Sequence, residues 1–282
     1  MNTYELSQTF PIGILDSGLG GLSVLQAIWQ SLPQENTIYL ADSKYAPYGD
    51  KSLEFIQQRT LKLCNFLIEQ KVKAIVIACN TATTNAINYI REIIQDVIII
   101  GVEPGIKPAF SISKNKIVGV LATENTLKSE NFSNLVENII EQNLVKNPVL
   151  YQQSGNGLVE LIETQNIDLN NENLLDLIKT YINPMLYKNV DTIVLGCTHY
   201  PFLLPILNTL YPHINFVETA QAIVSHLKAK LLDENLLNNI QSHKVKHLLL
   251  SSLDEKYLKD FIHKNIKSNS NMQIDYSKFD IV

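Results

Sequence analysis

Short β-branched runs recur along this chain, and each is followed by a helix-length stretch with apolar residues three and four positions apart. That alternation leaves few folds open. Parallel strands need a crossover, usually a helix, so repeated βα units predict parallel sheets covered by helices, an α/β fold. The expected strands are 12–15, 37–40, 74–78, 97–101, 116–121, 149–151, 192–195, 215–217 and 247–250. Helical spacing is clearest at 56–68, 85–94, 174–186 and 223–232. Asn- and Lys-rich stretches at 114–116, 143–147 and 235–243 predict surface connections. With 282 residues, 45% of them hydrophobic, the chain can bury one large core or two modest ones.

The sequence also echoes itself. AIVIACNTATTNAI and TIVLGCTHYPFLLPI both read apolar strand, small residue, Cys, polar pair, helix. A second pair, VIIIGVEPGIKPAF and INFVETAQAIVSHL, reads as a β-branched run ending in Val-Glu before a helix. Two similar α/β units facing one another explain both echoes.

Composition excludes several classes of function. A net charge of -5 gives no footprint for binding a polyanion, so nucleic acid is not expected as a ligand. No apolar stretch approaches the roughly 18 residues of a membrane span, and the amino-terminal MNTYELSQTF has neither a basic run nor an apolar core. A cytoplasmic protein is expected. Three cysteines without a C-x-x-C pair fit neither a disulfide framework nor a zinc ribbon, so reduced thiols are expected.

Ligands of open parallel sheets bind beyond the carboxyl ends of the strands, where the next helix presents unpaired N–H groups. Cys79 and Cys197 both fall there. A thiol at a helix N-terminus has its thiolate stabilised and becomes a usable base. A lone cysteine is more often a small buried hydrophobe, and Cys64, inside an apolar-periodic helix, is read that way. Two cysteines at equivalent strand ends, followed by Asn80 and Thr81 or by Thr198 and His199, reverse that preference. The first strand ends at Asp16 and Ser17 before three glycines. A carboxylate beside a backbone nest suits a zwitterion: it can orient an ammonium or a neighbouring thiol while N–H groups take the substrate carboxylate. Pro47, Tyr48 and Gly49 read, from the residues alone, as an ordinary turn with an exposed tyrosine. His199 has too few donors nearby for zinc, and is expected to bond a carboxylate and orient or protonate something near Cys197.

GILDSGLGGLSV, APYGDKS, IACNTATTNA and GCTHYPFL, in this order, resemble the glutamate racemase family, and GVEPGIKPA and LLLSSLDEKYLKDF are also similar. The resemblance implies two pseudosymmetric α/β domains with the active site in the cleft between them. On this chain they would be 1–102 with 215–282, carrying Cys79, and 103–214, carrying Cys197. It implies a homodimer that interconverts L- and D-glutamate for peptidoglycan synthesis without pyridoxal phosphate or metal. Cys79 and Cys197 match the proton-transferring thiols, and Asp16 and His199 the polar residues that support them. Ser17, Pro47, Tyr48, Gly49, Asn80, Thr81 and Thr198 match substrate-contacting positions, as does Thr126. A carboxylate paired with the histidine is expected at Glu163, with Glu160 the competing choice, because Ser154-Gly155-Asn156 stands where many relatives carry a proline-containing segment. An aspartate racemase would keep both cysteines but not the D-S-G and P-Y-G flanks. A nonenzymatic amino-acid sensor would need neither thiol.

Overall fold

The computed structural model describes residues 6–141, 147–239, 244–266 and 272–281. Positions 143–146 and 240–243 of the expected surface connections lie outside the described residues. The chain divides into two compact units, Met1–Val102 with Ala220–Val282, and Glu103–Thr219.

Along the chain run strands β1 (Ile12–Asp16), β2 (Thr37–Ala41), β3 (Ala74–Ile77) and β4 (Ile98–Gly101). Then come β5 (Ile117–Ala122), β6 (Val149–Ser154), β7 (Thr192–Gly196) and β8 (Asn215–Val217). Last are β9 (Lys246–Ser251) and β10 (Gln273–Lys278). The first unit holds a sheet in the order β10-β9-β2-β1-β3-β4, the second a sheet in the order β6-β5-β7-β8. Every pairing among the described strands is parallel. Strands β1, β2, β3 and β7 are buried at every position, as strands covered by helices on both faces must be, which is why they read as unbroken apolar runs.

The two echoes have a topological origin. Strands β1 to β4 lie in the order β2-β1-β3-β4, and β5 to β8 repeat it as β6-β5-β7-β8. Cys79 follows the third strand of one quartet and Cys197 the third strand of the other. The second echo falls on the fourth strands, β4 and β8.

Residues 215–219 belong to the second unit, which corrects the expected boundary at 214. The cause is the hydrogen-bond ladder: β8 pairs with β7 from Thr192↔Asn215 to Val194↔Val217. The first unit also contains β10, which was not expected from the sequence. QIDYSK is an edge strand with no fully buried residue, so it carries no apolar run.

Each unit has its own core. In the first, Leu15, Ile75 and Ile77 of the central strands pack with Leu63, Cys64, Leu67, Ala82 and Ile90 of the covering helices. Cys64 is fully buried, and that burial pushes its thiol up to about 12, so it remains an inert core group as expected. In the second, Val118, Val120 and Val194 pack with Ile106, Phe110, Phe132 and Ile139.

Candidate active site

In the first unit, the register Leu15↔Ile77 and Asp16↔Ala41 brings the carboxyl ends of β1, β2 and β3 level, so the following loops share one edge of the sheet. Asp16 is fully buried as the last residue of β1, and its Oδ2 accepts from the Gly18 N–H at 2.8 Å. The Tyr39 hydroxyl donates to the Gly18 carbonyl at 2.8 Å and holds the loop from the β2 side. Gly21 is needed for the close approach of the next helix, since a Cβ there would stand 2.7 Å from that of Asp16.

Cys79 caps the helix Asn80–Ile93 with its sulfur, which accepts from the Ala82 N–H at 3.4 Å. The same sulfur lies 3.4 Å from Ser17 Oγ. A hydroxyl can accept from a thiol and can turn to donate to a thiolate, so Ser17 serves both protonation states. The helix dipole and the Ala82 N–H favour a negative sulfur. Asn80 and Thr81 are buried beside it. Asn80 Nδ2 has no hydrogen-bond partner among the described residues, a buried donor of the kind that a bound carboxylate would satisfy.

The Tyr48 turn corrects the sequence reading. Tyr48 is only 1% exposed, because its hydroxyl donates to Asp42 Oδ2 at 2.6 Å and pulls the ring inward. Asp42 is in turn held by Arg59, with Nε 2.8 Å from Oδ2 and Nη2 2.7 Å from Oδ1. Burial, then the charge of Asp42 and its hydrogen bond, and then the charge of Cys79, hold the Tyr48 phenol well above its ordinary range, so it stays a neutral donor. Pro47 is exposed and follows a cis Ala46-Pro47 bond, and Gly49 is half-buried in the turn Tyr48–Asp50. Sequence reasoning missed Tyr39, Asp42 and Arg59. Asp42 carried a usable signal, since it directly follows β2 as Cys79 and Cys197 closely follow their strands. Arg59 showed only as a charge inside an apolar helical stripe.

In the second unit, Cys197 and Thr198 are buried directly after β7. Cys197 Sγ lies 3.8 Å from His199 Nδ1, and His199 Nε2 lies 2.7 Å from Glu163 Oε1. Thiol, imidazole and carboxylate thus form a chain of contacts, buried at Cys197 and His199 and partly buried at Glu163. Burial disfavours the charged ring of His199, but the hydrogen bonds and charges of Cys197 and Glu163 outweigh it and hold the imidazole well above its ordinary range. Glu163, not the exposed Glu160 on the same helix Leu158–Thr164, is the carboxylate that meets the histidine. Thr126 is fully buried in the turn after β5, its hydroxyl 2.8 Å from Thr123 Oγ1.

Among the described residues no group of three or more His, Cys, Asp or Glu side chains is placed to hold a metal ion. Nor is any described helix long and apolar enough to cross a membrane.

Comparison with known proteins places the chain in a family. Residues 12–227 match the family described as Asp/Glu/Hydantoin racemase. A glutamate racemase of Ralstonia pickettii is 49% identical over 218 residues, which cover 77% of this chain and 74% of that protein. The crystal structure of glutamate racemase isoform RacE1 from Bacillus anthracis superposes with a TM-score of 0.85 at 25% identity, covering 97% of this chain and 98% of that one. Glutamate racemase from Francisella tularensis, solved with D-glutamate, gives 0.80 at 27% identity, with 97% and 98% covered. The chain belongs to the glutamate racemases of the Asp/Glu/Hydantoin racemase family.

Proposed function

We propose that the protein interconverts L- and D-glutamate without a cofactor, using Cys79 and Cys197 as two opposed bases, and so supplies D-glutamate for peptidoglycan synthesis. One observation carries this reading. The two thiols follow the same strand of two identically ordered quartets, and each has a partner able to manage its proton. Racemisation removes a weakly acidic α-proton from one face and delivers a proton to the other, which two bases do directly. From L-glutamate, Cys197 as thiolate takes the proton while Cys79 as thiol delivers one; from D-glutamate the roles exchange. His199, held protonated by Glu163, stabilises the Cys197 thiolate, and Ser17 and the helix N-terminus do the same for Cys79. Positioned proton transfer supplies roughly 10²–10⁴-fold, so carbanion character in the transition state must also be stabilised. Asn80 Nδ2 and the backbone N–H groups following Asp16 are the donors suited to gripping the α-carboxylate, and Asp16, at the end of the strand paired with the one that leads to Cys79, supports that thiol.

Purified protein without added cofactor is expected to bring the optical rotation of either glutamate enantiomer to zero. Turnover of aspartate but not glutamate would overturn the substrate, and strict dependence on pyridoxal phosphate would overturn the mechanism. Enantiomers have equal free energy, so kcat/KM stays equal in the two directions for every variant, and the roles of Asp16 and His199 must be read from isotope effects. Each substitution, Asp16→Asn or His199→Asn, is expected to lower kcat by about 10- to 100-fold. With α-deuterated substrates the isotope effect should grow mainly from D-glutamate in Asp16→Asn and mainly from L-glutamate in His199→Asn. Equal growth in both directions from both variants would assign these residues to substrate binding or to the fold.

A further inference from the structure

The segment Ser154-Gly155-Asn156 and the residue after the histidine, Tyr200, have no part in the chemistry above, yet the structure joins them. Glu163 sits on the helix Leu158–Thr164, only seven residues long. So short a helix has little stability of its own and must be held from outside. Its start is held at Gly155, whose carbonyl accepts both the Leu158 N–H and the Tyr200 hydroxyl, each at 3.2 Å. The Gly155 N–H donates to the Ala122 carbonyl at the end of β5 at 2.9 Å, and the Tyr181 hydroxyl donates to the Asn156 carbonyl at 2.7 Å. Tyr200 is fully buried, and its own N–H donates to the Cys197 carbonyl at 3.0 Å. Glycine is required at 155 by space: a Cβ there would press into Tyr200 Oη, well inside van der Waals contact, and come within 3.0 Å of Cζ.

We infer that Tyr200 and Gly155 form a positioning clamp, by which the turn that carries Cys197 and His199 also grips the start of the Glu163 helix and keeps the carboxylate on the imidazole. One turn thus holds that segment at two points, Tyr200 at Gly155 just before the helix and His199 at Glu163 near its end. Without the Tyr200 bond the start of the helix is held less firmly, and a shift of about 1 Å would break the 2.7 Å contact between Glu163 and His199. Burial and the charge of Cys197 keep Tyr200 a neutral phenol, able to donate throughout the working pH range. Tyr200 is therefore a positioning residue for the Cys197 half of the reaction, and its catalytic consequence rests on the two-thiol reading.

The test uses Tyr200→Phe, Gly155→Ala and the double variant, with two readouts. NMR titration of the His199 ring in the substrate-free enzyme needs no turnover. Loosening Glu163 should bring the raised His199 value down toward the ordinary histidine range in Tyr200→Phe and further in Gly155→Ala. Loss of one neutral hydrogen bond corresponds to about 3- to 10-fold, so kcat of Tyr200→Phe should fall by that factor, with a larger isotope effect from L- than from D-glutamate. Gly155→Ala should lose more, and Gly155→Ala/Tyr200→Phe should recover part of that loss because the clashing oxygen is gone. An unmoved His199 titration in Tyr200→Phe, or a double variant no better than Gly155→Ala, would overturn the clamp. If the titration moves but the wild-type enzyme fails to racemise glutamate, the clamp stands and the two-thiol reading falls.

Discussion

Replacing either Cys79 or Cys197 by serine should reduce racemisation by about 10³-fold or more in both directions, because one transfer of the pair is lost and a serine hydroxyl is far too weak an acid to replace it. The loss is expected to be selective. A glutamate bearing chlorine at carbon 3 needs only one base, since removal of the α-proton expels chloride from the neighbouring carbon. Cys79→Ser keeps Cys197 and should still release chloride from the L-enantiomer, while Cys197→Ser should do so from the D-enantiomer. Chloride release from each enantiomer, measured beside racemisation, checks both halves. A serine variant that racemised at the ordinary rate, or two variants that eliminated from the same enantiomer, would sink the assignment of one thiol to each face.

The largest effect on stability is expected from Arg59→Met. Asp42 is fully buried and takes both of its strong hydrogen bonds from the Arg59 guanidinium, besides that of Tyr48. Removing the cation leaves a buried carboxylate uncompensated, which costs about 3–5 kcal/mol. Asp42→Asn/Arg59→Met removes both charges and should cost less than Arg59→Met alone. Urea unfolding of the three proteins measures this directly, and an Arg59→Met variant within about 0.5 kcal/mol of wild type would show that the pair contributes nothing. Because the same carboxylate seats Tyr48, a variant that folds should also bind glutamate more weakly.

Much of this was legible in the sequence because it was written locally. Strand-length apolar runs gave nine of the ten described strands, and the repeated strand-Cys-polar-helix grammar marked both thiols. What stayed hidden depended on contacts made across the fold. Strand β10 is a half-exposed edge with a polar sequence, so no apolar period announced it. The boundary near 214 could not be read, because Val217 and Glu218 echo an earlier segment without revealing which sheet β8 joins. Tyr48 looked like an exposed turn residue, since its burial is decided by Asp42, at the start of the same connection, and by Arg59 on the helix that follows. Glu163 and Glu160 lie on one short helix, and only the position of His199 distinguishes them. The role of Gly155 was invisible for the same reason, as the atom it must avoid belongs to a tyrosine 45 positions away.

The central claim is that the proton removed and the proton delivered reside on different sulfurs, and a single turnover in D2O tests it most directly. Protiated L-glutamate, stopped at low conversion, should give D-glutamate carrying deuterium at the α-carbon while the recovered L-glutamate stays protiated. The same should hold when the reaction starts from D-glutamate. Extensive deuterium in the recovered substrate, or protium retained in the product, would mean that one mobile base serves both faces, and would contradict the two-thiol account.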